Sequence, residues 1–118
     1  MSPIQSLLTE MRGRLGMYIG STSLTRLAAF LRGYDYALMK LGQGEADTFL
    51  EEFRDWIHRR FQPGSQNWED TILLHSANEG EAIKHFWELL DLFLEEKNEQ
   101  PQTDGQQAAL GVPQARIK

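Results

Sequence analysis

The sequence predicts an all-α fold: a single-domain bundle of about five helices, with an ordered glycine-rich loop after the first. Three observations carry this. Apolar residues recur at i, i+3, i+4 and i+7 in successive stretches, the period of one buried helix face. Helix-capping residues precede these stretches, and glycine or proline follows several of them. The chain has 118 residues and 41% apolar content, enough for one core and no more than one domain. A helical domain over residues 1–97 and a disordered tail over 98–118 are expected.

The first helix opens at Ser2-Pro3. Ser2 suits the cap, Pro3 the first helical position, and Gln5 the third residue of a capping box. Ile4, Leu7, Leu8 and Met11 share its buried face, and Gly13 and Gly16 stop it. Residues 16–23 then read as a loop. Met17, Tyr18 and Ile19 are too apolar for full exposure, so this run either packs under the bundle or pairs briefly as a strand. Ser21, Thr22 and Ser23 offer alternative caps for the next helix.

That second helix is expected over about 24–41. Leu24, Leu27, Ala28, Leu31, Tyr34, Leu38 and Leu41 form its stripe. Gly33 in its interior costs about 1 kcal/mol against alanine and suggests a close helix approach or a kink. Gly42-Gln43-Gly44 ends it. The third helix spans about 46–61, with Asp47 a possible cap and Phe49, Leu50, Phe53, Trp56, Ile57 and Phe61 inward. Acidic residues crowd its start, Arg59 and Arg60 sit at its end, and Pro63-Gly64 closes it. Asn67 caps a shorter helix with Trp68, Ile72 and Leu73 inward, ending near Ala77. Asn78 and Glu81 begin the last helix, which runs to about Lys97 and is broad enough in its apolar residues to touch several neighbours. From Asn98 onward Gln, Pro, Gly, Asp and Thr dominate, the composition of a tail.

Charge is uneven. The net is −5, yet residues 1–44 hold five basic and two acidic side chains, while residues 45–118 hold seven basic and fifteen acidic. An acidic second half disfavours nucleic acid and suits a basic protein partner. No stretch approaches the roughly 20 apolar residues that cross a bilayer, the start lacks a signal-peptide pattern, and there are no cysteines. A cytoplasmic protein with no membrane association is expected.

Chemistry is sparsely signalled. His58, His75 and His85 form no metal-ligand spacing. The serines lack a nucleophile-elbow context, and no phosphate-binding glycine motif is present. No catalytic set, metal or cofactor is expected. Glu88, Asp91 and Glu95 share one face of the last helix, and Glu51 and Asp55 one face of the third. These five are the candidate partner-binding residues. The alternative is a small anionic ligand or nucleotide held by the loop residues Arg14, Tyr18, Ser21, Thr22 and Ser23, where amides beside an arginine meet a helix start. Asp35 is placed to pair with Arg32. For the other arginines, helix C-termini and the acidic half are the expected partners.

Two resemblances attach to the loop. Arg14, Gly16, Met17, Tyr18, Ile19, Gly20, Ser21 and Thr22 resemble a loop near the start of the ATPase subunits of gyrase-type topoisomerases. That family's following Glu and Asn are replaced here by the run Phe30-Leu31-Arg32-Gly33-Tyr34, so no ATPase is expected. The wider pattern is similar to a family of small all-helical bacterial proteins. It joins Arg14, Gly16, Met17, Tyr18 and Gly20 to Ser23, Leu24, Leu27, Phe30, Leu31, Gly33 and Tyr34. It continues through Phe53, Trp56, Ile57, Phe61 and Trp68 to Glu81, Ala82, Phe86, Glu88, Leu89, Leu90, Asp91 and Phe93. Members lie beside polymorphic toxins, so the resemblance implies an immunity role: binding and neutralising a cognate toxin, here one with a basic surface. It implies no catalytic residues, and the tail lies outside it.

Overall fold

A computed structural model describes residues 2–42, 47–62 and 67–99, and all regular structure among them is helical. Six helices follow in order: α1 (Pro3–Met11), α2 (Leu15–Ile19), α3 (Leu24–Lys40), α4 (Phe49–Phe61), α5 (Trp68–Leu74) and α6 (Glu79–Glu99). The all-α fold is as expected; α2 is the addition. Gln43 and Gly44 of the turn expected after the second helix, Pro63-Gly64, and residues 100–118 of the expected tail lie outside the described residues; Asn98 and Glu99, expected in that tail, belong to α6.

The local signals set most helix starts. The hydroxyl of Ser2 accepts from the amide of Gln5 at 3.1 Å, Ser23 from Arg26 at 3.1 Å, and the amide oxygen of Asn78 from Glu81 at 2.9 Å. Each satisfies an amide that the first helical turn leaves without a partner. α4 begins later than the spacing suggests, with Thr48 at the cap. Asp47 serves it differently, its Oδ1 accepting from the amide of Phe49 at 3.0 Å.

α2 replaces the expected loop because five residues are too few for a helical period to register in a sequence. The chain supplies its ends from elsewhere. Gly13, at φ +84°, turns the backbone between α1 and α2, and Gly20, at φ +82°, closes α2 in the left-handed region that favours glycine. The amide of Gly20 donates to the carbonyl of Gly16, and the Arg26 guanidinium donates to the carbonyl of Ile19 at 3.0 Å. Tyr18 and Ile19 pack against the core as expected. Met17 does not: it is 80% exposed.

α3 packs against α1, α2, α5 and α6, and α4 against α1, α5 and α6. An aliphatic layer joins Ile4, Leu8 and Met11 of α1 to Leu24, Leu27, Ala28 and Leu31 of α3, all buried. An aromatic layer centres on Phe53 of α4. Its ring stacks on Trp56 and meets Trp68, Phe86 and Phe93 edge-on, with centroids 5.3–5.7 Å away for those three. Such edge contacts add to the burial of large apolar surface.

Two expectations about α3 fail. Its stripe stops being covered after Leu31: Tyr34 and Leu38 are half-buried, and Leu41 is 70% exposed beside exposed Tyr36 and Met39. Gly33 marks no close approach, since a Cβ built there would meet nothing within 4 Å.

Candidate functional site

The five acidic residues singled out from the spacing differ in their partners. On α6, Asp91 turns toward α1 and accepts both guanidinium nitrogens of Arg12, at 2.7 and 2.8 Å. Arg12 in turn lies 5.0 Å over the ring of Trp87. The Arg12 hydrogen bonds hold the Asp91 carboxyl below the usual aspartate range, against a smaller opposing effect of desolvation. Glu88 and Glu95 of the same helix are exposed and form no ion pair with another described residue. On α4, Asp55 takes the neighbouring Arg54 at 3.1 Å, an exposed pair of little energetic weight. Glu51 is exposed and unpaired among the described residues, and it faces a different groove, of about 300 Å³, beside Arg32, Asp35, Arg54 and Asn67. In that groove desolvation first, then the charges of Asp47 and Glu51, push the Asp35 carboxyl up. Arg32 pairs with the buried Glu69 of α5 at 2.6 Å rather than with Asp35. Glu69 is 6% exposed, and the ion pair is what makes a carboxylate tolerable there.

A groove of about 500 Å³ between α4 and α6 is lined by residues that make ionic contacts with one another. Lys97 donates to Glu52 at 2.7 Å and sits 5.7 and 5.8 Å over the rings of Phe49 and Phe93. The Trp56 indole donates to Glu96 at 2.8 Å, and Arg60 lies 5.2 Å over that indole. The Lys97 hydrogen bond lowers the Glu52 carboxyl below its ordinary range.

The alternative site, the loop before α3, holds an anion of its own. Glu79, at the start of α6, reaches the N-terminus of α3. Its carboxylate accepts from the Ser23 hydroxyl at 3.1 Å, the Thr25 amide at 3.1 Å and the Thr25 hydroxyl at 2.7 Å. Chiefly the Thr25 hydroxyl holds the Glu79 carboxyl below the usual glutamate range. Ser23 is committed as the α3 cap, Arg14 is exposed at the cap of α2, Tyr18 is half-buried against the core, Ser21 is half-buried and Thr22 is exposed. A phosphate or nucleotide bound there would have to displace Glu79.

A third groove, of about 340 Å³, was not foreseen. Phe61 at the end of α4, Ile72 of α5, and Leu89 and Leu92 of α6 make its floor; His75, His85 and Glu88 make its rim. The Ser76 hydroxyl lies 2.8 Å from His85 Nδ1, a serine–histidine contact that spacing alone did not suggest. Proton counting shows what it does. Ser76 Oγ also lies 2.7 Å from the carbonyl of Ile72, which can only accept. The single hydroxyl proton goes to that carbonyl, so His85 donates through Nδ1 and the serine oxygen accepts. His85 does not take the serine's proton, and the contact fastens the α5–α6 turn. The same count applies to His75, whose Nδ1 lies 2.9 Å from the carbonyl of Thr71 and must be its donor.

Among the described residues, no group of three or more His, Asp or Glu is placed to hold a metal ion. No described helix is long and apolar enough to cross a membrane. No protein-family model, curated protein or solved structure matches the chain.

Proposed function

We propose that the chain is a non-catalytic protein-binding module that docks a basic partner through carboxylates of α4 and α6. One observation carries this reading. Glu52, Glu69, Glu79 and Asp91 are each engaged by a cation or a helix start within the chain, whereas Glu51, Glu88 and Glu95 are exposed with no ion pair to a described residue. Unneutralised carboxylates cost stability through mutual repulsion, and steering an oppositely charged partner is a use that offsets that cost. The resemblance of the Arg14–Phe93 pattern to a family of small helical bacterial proteins suggests the kind of partner: a toxin domain with a basic surface, neutralised by occlusion.

The test is charge reversal at Glu51, Glu88 and Glu95 together. Exposed substitutions of this kind move stability by about 0.5 kcal/mol or less. The triple variant should therefore melt near the parent while losing recovery of a basic protein from the source cell. It should also lose protection of growth when that protein is co-expressed. A triple variant that recovers and protects as well as the parent ends the proposal.

A further inference from the structure

The groove under His75, His85 and Glu88 has a hydrogen-bonding character that selects its occupant. Its floor is apolar, from Phe61, Leu89 and Leu92. With both imidazoles neutral, its rim offers only acceptors. His75 and His85 each spend the Nδ1 proton on a neighbour, Thr71 carbonyl and Ser76 hydroxyl. In a neutral imidazole so fixed, Nε2 is an acceptor. Glu88, exposed and without an ion pair to a described residue, contributes a carboxylate. Exposed Leu74, next to His75, extends the apolar shoulder.

An apolar floor ringed by acceptors fits a side chain with a hydrocarbon stem and a head that only donates. We propose that this groove is the docking pocket for an arginine side chain of the protein partner. The stem lies along Leu89 and Leu92, and the guanidinium reaches Glu88 and an imidazole Nε2. Arginine fits better than lysine because its planar head can lie against the Phe61 ring while presenting paired N–H groups to the carboxylate. The fifteen acidic side chains of residues 45–118 favour the same charge. This rests on the protein-binding reading and names the partner group that Glu88 meets.

The full chain, isotopically labelled, is titrated with blocked Ala-Ala-Arg-Ala-Ala and with the same peptide carrying citrulline or lysine. The titration is run at about pH 8, where a free imidazole is uncharged. The arginine peptide should shift the His75 and His85 ring protons and the Leu89 and Leu92 methyls saturably, with a dissociation constant on the order of 1 mM. Citrulline keeps the shape without the charge and should bind about tenfold more weakly. Glu88→Gln should bring the arginine peptide to the citrulline level, and Glu10→Gln, an exposed carboxylate on α1, should leave it unchanged. Absence of saturable shifts, equal binding of arginine and citrulline, equal binding of lysine, or equal loss with Glu10→Gln each overturns the assignment. The titration needs no partner protein, so its failure is distinct from a failure of the charge-reversal experiment.

Discussion

The amide of Ile4 donates to the Oδ2 of Asp47 at 2.8 Å, across 43 residues of chain. The other oxygen of the same carboxylate accepts from Phe49 at 3.0 Å. One side chain therefore satisfies amides in the first turns of both α1 and α4. Each such cap is worth about 1 kcal/mol, and up to about 2. Asp47→Ala should lower unfolding free energy by roughly 2–3 kcal/mol, because both helix starts lose an acceptor at once. Asp47→Asn keeps one oxygen and should lose about half as much. Urea denaturation of the two variants checks this, and equal losses would show that only one of the two bonds matters.

Gly33 offers a gain. It lies in the interior of α3, with open space where a Cβ would go. Gly33→Ala should raise stability by about 1 kcal/mol, through helix propensity and a less disordered unfolded chain. An unchanged or lowered denaturation midpoint would mean that the position tolerates less than the geometry indicates.

Two carboxylates should respond to pH with opposite sign. Glu79 sits below its ordinary value of 4.5, chiefly through the Thr25 hydroxyl. Its stabilising effect is full above that value and disappears as pH falls through its lower folded value. Asp35 sits above its ordinary value of 3.8, chiefly through desolvation. Its charged form is disfavoured in the fold, so it costs stability above its raised folded value and nothing below 3.8. At neutral pH Glu79→Gln should therefore destabilise, by about 1 kcal/mol, and Asp35→Asn should stabilise. Both differences should shrink as pH falls into the acid range, each vanishing once its carboxyl is protonated in the folded and the unfolded state alike. Denaturation midpoints at neutral pH and across the acid range decide it.

The Ser76–His85 contact should behave as a fastening and not as a nucleophile with its base. Ser76→Ala removes the acceptor for His85 and the donor to Ile72, and should cost about 1–2 kcal/mol. A fluorophosphonate probe should leave Ser76 unlabelled in the native protein. Labelling at Ser76 would show that the hydroxyl proton goes to the histidine after all.

Helix phases and caps were legible because they are local. Ser2, Ser23 and Asn78 bond amides three residues ahead, and the apolar spacing of Ile4, Leu8 and Met11, or of Phe49, Phe53, Trp56 and Ile57, matches the buried faces. α2 was not legible, since Arg26 and two left-handed glycines define it more than its own pattern does. The ends of the stripes also misled: Leu41 and Met17 are apolar by composition and exposed in fact. The site was less legible than the fold. That Asp91 belongs to Arg12, Glu79 to the start of α3, and Glu69 to Arg32 depends on contacts 79, 54 and 37 residues apart. No spacing rule reaches that far. The serine–histidine contact spans only nine residues, but it depends on how the α5–α6 turn folds.

The indole proton of Trp56 is held by Glu96, 40 residues later, across the gap between α4 and α6. It is thus a single labelled position on the seam that brings the middle of the chain to its last helix. Deuterium uptake at that one nitrogen times the parting of α4 from α6, and comparison with the backbone amides of Phe53 and Phe86 tells whether the seam opens alone or only when the whole core comes apart.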